Sequence, residues 1–501
     1  MKRRSFFTKV CSIVFYFLCF GSVAYGQNPN CYRINFSDKT DSPYSINRPE
    51  EFLSQRAIDK RKRFNIPITE QDLPVNPHYI DSILNFSKEP SQIISKSKWN
   101  NSVVIFYPET DNCRDIITEM LNAIPFVVDT LPVAYYQFPV IPESIIISET
   151  STHNQKSDAI LYSSFSCNYN YGKSIDNIKM HKGELLHKAG FCGEDMLICV
   201  LDGGWNGFDT ISYFRTLFEN GKILGTKDLM PGVNNVFTGH GHGTFTTSIM
   251  ASEINDQLIG TAPKANFYFI RSENPWNEQL IEEDFWAFAA EIADSLGADV
   301  INSSLGYTTF DYNWQNIYTS VDNDGVASIA SRTASILTQK GVIVVNSAGN
   351  SGISTWKYIV RPADAFNILA VGMVDKNGVV TPGSSYGPSS DGRIKPDVAA
   401  LGSYTWCVGS DGIIYGTGSG TSAAAPIITG LSACLWQALP KYSSLEIMQL
   451  IRDYGSKANY PNNRIGYGIP NFYQCYLDHH NNIPEKKYPT LLFIRTQQRE
   501  N

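Results

Sequence analysis

The stretch IEEDFWAFAAEIADSLGADVINSS at residues 281–304 passes from a helical pattern directly into a strand-like one. Its first part repeats apolar side chains at helical spacing: Ile281, Phe285, Phe288, Ile292 and Leu296. Its last part, DVINSS at 299–304, is a short run typical of a buried strand. A helix that leads at once into a strand is typical of an α/β protein.

The same alternation continues on both sides of this stretch. Further strand-like runs are MLICVLD (196–202), FYFI (267–270), VIVVNS (342–347) and NILAVG (367–372), and 321–340 has the pattern of a second helix. Alternating strands and helices predict an α/β fold with a mostly parallel central sheet and helices on both faces. The carboxyl ends of parallel strands meet at one edge of the sheet, so polar residues that end these runs are the first candidates for a functional site.

Residues 27 to about 148 are predicted to form a separate, small α/β unit. Its predicted elements are a helix over 49–63, a strand over 102–107, a helix over 115–122 and an extended run over 126–130. The basic run KRKR at 60–63 is expected to be the solvated face and last turn of the first helix rather than a processing site. The polar run ETSTHNQKSD at 149–158 lacks periodicity and predicts a linker or cleavage region.

The N terminus has the features of a secretory signal. Lys2, Arg3 and Arg4 precede an apolar stretch over 10–20, and small residues follow up to Gly26. This stretch is too short to cross about 30 Å of hydrocarbon, so residues 1–26 are predicted to be a cleaved signal peptide with no membrane span afterwards. Cleavage removes four positive and no negative charges, which moves the formal charge from −7 to −11 and argues against nucleic acid as a partner.

Ten cysteines are present, and two of them lie in the predicted signal peptide. Export would permit disulfides among the remaining eight, although their pairing cannot be read from sequence. Cys199 and Cys434 lie in apolar runs and are predicted to be buried thiols.

Two candidate functional positions lie at a strand end and a helix start. Asp202 ends MLICVLD and is followed by two glycines, although an Asp-Gly pair by itself is usually a turn. In GHGHGTFTTSIMA (239–251), His240 and His242 stand among glycines at the start of a predicted helix. These histidines are either a metal pair or a source of a general base, and the lack of HExxH and CxxC patterns favours the base.

Two further positions complete a chemical pattern. In GTGSGTSAAAPIITGLSACLWQ (416–437), a glycine-rich approach leads to Ser422 at the start of a predicted buried helix, whose N terminus supplies partial positive charge. VIVVNSAGNSG (342–352) ends in small residues and Asn350, whose amide can donate to an oxyanion. Alone, such a serine is often a helix N-cap and such an asparagine a turn residue. Their occurrence in the order Asp, His, Asn, Ser favours a catalytic site.

These motifs resemble those of the subtilisin-type serine peptidases, the subtilases of peptidase family S8. The family's aspartate, histidine, oxyanion and serine motifs are similar to VLDGG (200–204), HGT (242–244), AGN (348–350) and GTSAAAP (420–426). The histidine motif selects His242 over His240. The resemblance covers about residues 165–475 and implies a subtilisin-like three-layer fold.

The resemblance implies a secreted serine endopeptidase that works through an acyl-enzyme. Asp202, His242 and Ser422 would form the triad, with Asn350 in the oxyanion hole. SSLGY (303–307) and AGN resemble substrate-binding segments, which implies substrate contacts from Ser304, Leu305, Gly306, Ala348 and Gly349. The expected partners are protein or peptide substrates. No cofactor is expected for the chemistry, and structural calcium is common in the family, with no ligand identified here.

Residues 50–77 resemble the N-terminal region of exported subtilisin-type proteases from Bacteroidetes bacteria. This implies a prodomain that serves as intramolecular inhibitor or chaperone. The expected division is a signal peptide (1–26), a prodomain with linker (27–155), a catalytic domain (156–478) and a tail (479–501). Two alternatives remain: an inactive binding protein with the same fold, and an acid-acting relative with a Glu/Asp/Ser site, against which the HGT run argues.

Overall fold

The computed structural model describes residues 28–87, 89–108, 112–136, 167–232 and 234–481. The predicted signal peptide, the predicted linker at 149–158 and most of the predicted tail lie outside the described residues.

The N-terminal part is a small α/β unit, as predicted. Its elements are β1 (Cys31–Phe36), α1 (Gln55–Phe64), α2 (Pro77–Leu84), β2 (Gln92–Ser97), β3 (Ser102–Phe106), α3 (Cys113–Ala123) and β4 (Val127–Ala134). The strands form an antiparallel sheet in the order β2-β3-β1-β4. The first predicted helix begins six residues late, because Pro49–Glu51 forms a separate 3-10 turn and the Ser54 hydroxyl caps α1.

The prediction of a solvated basic face on α1 is wrong for two of its four residues. Lys60 and Arg61 are buried. Arg61 forms ion pairs with Asp72 at 3.1 Å and with Asp294 at 2.9 Å, and Lys60 donates to the carbonyl of Ala298. The helix therefore turns this part of its basic surface toward the rest of the protein, where carboxylates compensate the buried charge.

The remaining elements alternate along the chain as the sequence predicts. They are α4 (Ile175–Lys179), α5 (Gly183–Lys188), β5 (Leu197–Asp202), α6 (Arg215–Glu219), β6 (Ile223–Asp228), α7 (His242–Ala251), β7 (Glu253–Ile254), β8 (Leu258–Ile259), β9 (Asn266–Arg271), α8 (Glu282–Leu296), β10 (Val300–Ser303), α9 (Ile329–Gln339), β11 (Ile343–Ser347), β12 (Leu369–Val374), β13 (Val398–Leu401), β14 (Thr405–Val408), β15 (Ile414–Gly418), α10 (Thr421–Ala438), α11 (Ser444–Asp453) and α12 (Phe472–His479). The helix predicted over 321–340 begins at Ile329, where the Ser328 hydroxyl caps the first turn.

Within the described ranges, the central sheet has seven parallel strands in the order β13-β12-β11-β10-β5-β9-β6. Alternate side chains of β5 enter two different apolar layers. Ile198 and Val200 pack with α7 and α10, whereas Leu197, Cys199 and Leu201 pack with α8 and α9. The sheet thus lies between two helical layers, which confirms the predicted three-layer fold.

The N-terminal unit packs against the layer formed by α8 and α9. Trp99, Val104 and Phe106 belong to the same apolar cluster as Phe285 of α8. Polar contacts join the same two parts: Arg33 forms an ion pair with Asp284 at 2.6 Å, and the Lys98 ammonium lies 3.2 Å from Asp294.

A disulfide joins Cys167 to Cys192, and Cys199 and Cys434 are free and buried, as predicted. None of the helices in the described ranges has the length and apolar character that crossing a membrane requires.

Candidate active site

Asp202 is the last residue of β5 and is fully buried. Its Oδ1 accepts hydrogen bonds from His242 Nδ1 at 2.8 Å and from the Gly203 backbone N–H at 2.7 Å. Its Oδ2 accepts from the Thr246 hydroxyl at 3.0 Å. Because a carboxylate only accepts, His242 carries its proton on Nδ1, which leaves Nε2 to take a proton from a reacting group.

His242 is the first residue of α7. The Gly243 backbone N–H donates to the Gly204 carbonyl at 2.8 Å, which fixes the start of α7 against the end of β5. The His242 side chain is 29% exposed and can therefore meet a substrate. Burial lowers the pKa of His242, but the charge and hydrogen bond of Asp202, with the charge of Glu273, outweigh burial and raise this pKa above its ordinary value.

Ser422 lies in the first turn of α10. The preceding N-cap residue, Gly420, has a φ of 121°, a conformation that side-chain-bearing residues rarely adopt. The backbone N–H of Ser422 has no acceptor among the described residues, as expected for an N-terminal amide of a helix. The Ser422 Oγ donates to the Ser304 carbonyl at 3.1 Å, and among the described residues no hydrogen bond joins it to His242.

Asn350 follows β11 and is oriented by α10. Its Oδ1 accepts hydrogen bonds from the Thr421 backbone N–H at 2.8 Å and from the Thr421 hydroxyl at 3.2 Å. A backbone N–H only donates, so the amide atom that faces it must be oxygen. The Nδ2 group, which donates to none of the described residues, is thereby left as a donor for the cleft.

A cleft of about 270 Å³ brings most of the predicted residues together. Its walls include Asp202, His242, Asn350, Ser422, Ser304, Leu305, Gly306 and Gly349. Gly306 is exposed, and its backbone groups bond to none of the described residues, so they are available to a substrate backbone. Ala348 is absent from the described lining. Its side chain is buried in a small apolar cluster and its carbonyl accepts from the Val360 N–H.

Other lining residues were not singled out from the sequence. They are Glu273, Pro275, Thr308, Ser347, Ser351 and Val360. The position of Glu273 along the chain could have indicated its place in the cleft. Arg271 ends β9 and lies beside Asp202 in the parallel register, and Glu273 follows two residues later. Side chains just past neighbouring strand ends meet at one edge of the sheet.

The metal-pair alternative for the two histidines gains no support from their geometry. His242 Nδ1 bonds to Asp202, and His240 Nδ1 accepts the His242 backbone N–H at 3.2 Å. In the part of the chain that the structure describes, no group of three or more His, Cys, Asp or Glu side chains is arranged to hold a metal ion. Structural calcium remains a prediction without ligands.

Comparison with known proteins gives two family matches. Residues 193–468 match the model of the "Subtilase family", and residues 31–139 match that of the "Peptidase S8 propeptide domain, Bacteroidota". Subtilisin BL from Lederbergia lenta is 27% identical over 286 residues, which cover 57% of this chain and 92% of the relative. Subtilisin Savinase from the same organism is 26% identical with the same coverage.

Among solved structures, MycP1 with its N-terminal propeptide removed is 21% identical, with a TM-score of 0.47 and coverage of 60% of this chain and 96% of that one. The subtilase match alone spans more than half of the sequence. The chain therefore belongs to the subtilase family and is a serine endopeptidase with an N-terminal propeptide domain.

Proposed function

We propose that this chain is a secreted endopeptidase in which Ser422 is the nucleophile, His242 the general base and Asp202 the group that orients the base. The observation that carries this proposal is the fixed hydrogen bond between Asp202 and His242 in the same cleft as Ser422. The predicted signal peptide and the Bacteroidota propeptide match support secretion.

The chemistry follows from these groups. The Ser422 Oγ attacks the carbonyl carbon of the scissile peptide while His242 Nε2 takes the hydroxyl proton. The C–N bond then breaks, His242 gives the proton to the leaving amine, and the acyl group remains on Ser422. Water attacks the acyl-enzyme with His242 again as base, which releases the new carboxylate and restores the serine. Asp202 stays ionised and stabilises the imidazolium.

Two donors are proposed to receive the negative charge that develops on the attacked oxygen. They are the Asn350 Nδ2, whose direction is set by Thr421, and the unpaired backbone N–H of Ser422. The N terminus of α10 adds partial positive charge at this point. No step in this mechanism needs a cofactor.

The N-terminal unit is proposed to act as the protein's own inhibitor or chaperone. The residue just past its last strand is hydrogen-bonded to the segment that precedes α8: the Tyr135 N–H donates to Gln279 Oε1 at 2.9 Å, and Gln279 Nε2 donates to the Tyr135 carbonyl at 3.1 Å. The Ile281 N–H also donates to the Val133 carbonyl. These contacts join the N-terminal unit to the segment between Glu273 and α8.

Hydrolysis of a denatured protein substrate tests the proposed function. The Ser422→Ala chain should lose activity, whereas Ser419→Ala should keep it, since Ser419 is an exposed serine of the same glycine-rich approach. His242→Ala should likewise lose most activity, and His240→Ala should lose much less. Full activity in Ser422→Ala would contradict the assignment, and an inactive, correctly processed wild type would favour a binding protein with this fold.

A further inference from the structure

Glu273 places a carboxylate on the wall of the cleft beside the proposed base. It lines the cleft together with His240, His242 and Pro275. A Cβ on Gly203, next to the triad aspartate, would lie 3.9 Å from the Glu273 carbonyl oxygen. The charges of Glu273 and His242 each act on the pKa of the other. An acidic side chain is thus within electrostatic range of the reacting atoms without a part in the proposed chemistry.

No lysine or arginine of the described ranges forms an ion pair with Glu273, and no described donor hydrogen-bonds to its carboxylate. Arg271, two residues earlier, lies 3.6 Å from Asp228 instead. Burial raises the pKa of Glu273 and the charge of Asp202 raises it further, against the opposing effect of His242. The ionised carboxylate therefore lacks a compensating cation from this part of the protein.

The loop that carries Glu273 is held in place by a different carboxylate. Glu282 Oε1 accepts the Asn274 backbone N–H at 2.7 Å, and its Oε2 accepts the Gln279 N–H at 3.4 Å. Glu282 is buried and serves the loop, whereas Glu273 faces the cleft. The loop's internal hydrogen bonds thus position Glu273 without using its side chain.

A tryptophan stands beside His240, which lines the same cleft as Glu273. Trp276 is 75% exposed, and its ring centroid lies 5.7 Å from that of His240. An indole face attracts cations, and it also covers the aliphatic part of a long side chain. The cleft has a carboxylate and a proline in its lining and an exposed indole next to His240. These groups match the chemistry of lysine or arginine, which has an apolar stem and a charged end.

We propose that Glu273, Pro275 and Trp276 form a subsite of the cleft for a substrate lysine or arginine that flanks the scissile residue. This subsite rests on the proposed peptidase function. The residue whose carbonyl is attacked must lie against Ser422 and Asn350, so the cation that reaches Glu273 comes from a neighbouring substrate residue. Peptides with a basic residue next to the scissile one are therefore the preferred class.

The test measures kcat/KM of the protein in its processed form on paired peptides that differ in one residue. That residue is lysine or norleucine, which has a similar aliphatic chain without the charge, and it stands before or after the scissile residue. We expect lysine to be preferred about tenfold in one position at about pH 8 and low salt. The preference should weaken with added salt, and also toward about pH 5 as Glu273 takes up a proton.

Two variants and a control assign the preference to the subsite. Glu273→Gln should reduce the lysine preference to about twofold or less, and Trp276→Ala should reduce it about threefold. Glu194→Gln, which changes a surface carboxylate paired with Lys222, should leave the preference unchanged.

Labelling by a fluorophosphonate in the same preparation separates the two proposals. The subsite is overturned if kcat/KM is equal for the lysine and norleucine peptides, or if the lysine preference is unchanged in Glu273→Gln. In either case, labelling of Ser422 leaves the peptidase function standing. A correctly processed wild type that neither labels nor hydrolyses any of the peptides overturns the peptidase function and the subsite with it.

Discussion

Ser304 and Ser422 are joined by two reciprocal hydrogen bonds, in which each hydroxyl donates to the backbone carbonyl of the other residue at 3.1 Å. The pair ties the chain just after β10 to the first turn of α10. The proposed mechanism requires the Ser422 Oγ to give up the Ser304 carbonyl and bond to His242 instead. This exchange gives up one hydrogen bond, worth about 1 kcal/mol net.

Activity should rise with pH as His242 loses its proton. Burial alone would lower the pKa of His242, but Asp202 and Glu273 raise it above the ordinary value of about 6.5. Because the base works only when neutral, the acid limb of kcat/KM should have its midpoint above about 6.5.

Asp202→Asn tests the hydrogen-bonded pair of Asp202 and His242. It should lower kcat about 10⁴-fold, a magnitude known for the equivalent change in a serine protease triad, because the ring loses its fixed tautomer. The midpoint of the residual activity should shift downward, since burial is no longer opposed by the carboxylate. A pH profile measured from about pH 5 to about pH 10 checks both, and an unshifted midpoint in the variant would contradict the electrostatic role of Asp202.

Asn350→Ala should lower kcat about 10²- to 10³-fold with little change in KM. This magnitude is the one known for removing the oxyanion-hole asparagine of subtilisin. The loss falls on kcat because the amide stabilises the transition state, in which the substrate oxygen carries negative charge, more than the bound substrate. Steady-state kinetics on one peptide measure it, with Asn377→Ala, an exposed asparagine of a distant turn, as the matched control. An unchanged kcat would remove Asn350 from the oxyanion hole.

Gly306→Ala should damage the proposed substrate-binding segment SSLGY (303–307) through a specific contact. A Cβ at Gly306 would lie 2.1 Å from Val360 Cγ2, and overpacking of this kind costs about 1–3 kcal/mol. We expect a lower free energy of unfolding and a lower kcat/KM. The loss of unfolding free energy caused by Gly306→Ala should be smaller in a Val360→Ala background, because that change removes the atom in conflict. If the losses of the two single variants simply add in the double variant, the clash is ruled out.

Asp72 should make the stability of the uncleaved chain depend on acid pH. It is fully buried and forms ion pairs with Arg61 at 3.1 Å and Lys340 at 2.9 Å, which connects the N-terminal unit to the end of α9. Burial alone would raise the pKa of Asp72, but Lys340 and Arg61 outweigh burial and lower it to about 2. The stabilisation is therefore present above about pH 4, the unfolded value, and is lost as the pH falls toward about 2.

Denaturant unfolding of the uncleaved Ser422→Ala chain measures this effect. Asp72→Asn should cost about 3 kcal/mol at neutral pH, because Lys340 is left without its carboxylate and Arg61 keeps only Asp294. It should also flatten the acid dependence. Asp59→Asn, an exposed position on α1, should cost less than about 1 kcal/mol, and an equal cost in both variants would contradict the prediction.

The layered fold and the positions of the candidate triad could be predicted because they depend on local patterns. Asp202 ends a continuous apolar run, and Ser422 begins one after glycines. The start of α9 was predicted eight residues too early. The cap at Ser328 decides where the helix begins, and the run DNDG at 322–325 before it is a turn signal.

Contacts between distant segments were not readable in the sequence. Arg61 meets Asp294 across 233 positions, so the basic run at 60–63 had the pattern of an ordinary surface face. Glu273 was overlooked for a different reason. Its strand was predicted to end at 270, and the residues beyond it carried no motif, although the parallel register places them beside Asp202.

Fluorophosphonate labelling is the most direct measurement of whether Ser422 is an activated nucleophile. The reagent reacts with a serine that an adjacent base activates, and its phosphoryl oxygen occupies the oxyanion site. The processed wild type should be labelled, with the mass increase on the peptide that contains Ser422, and Ser422→Ala should remain unlabelled while Ser419→Ala labels normally. Label retained by Ser422→Ala, or none on the correctly processed wild type, would contradict the assignment of Ser422 as the nucleophile.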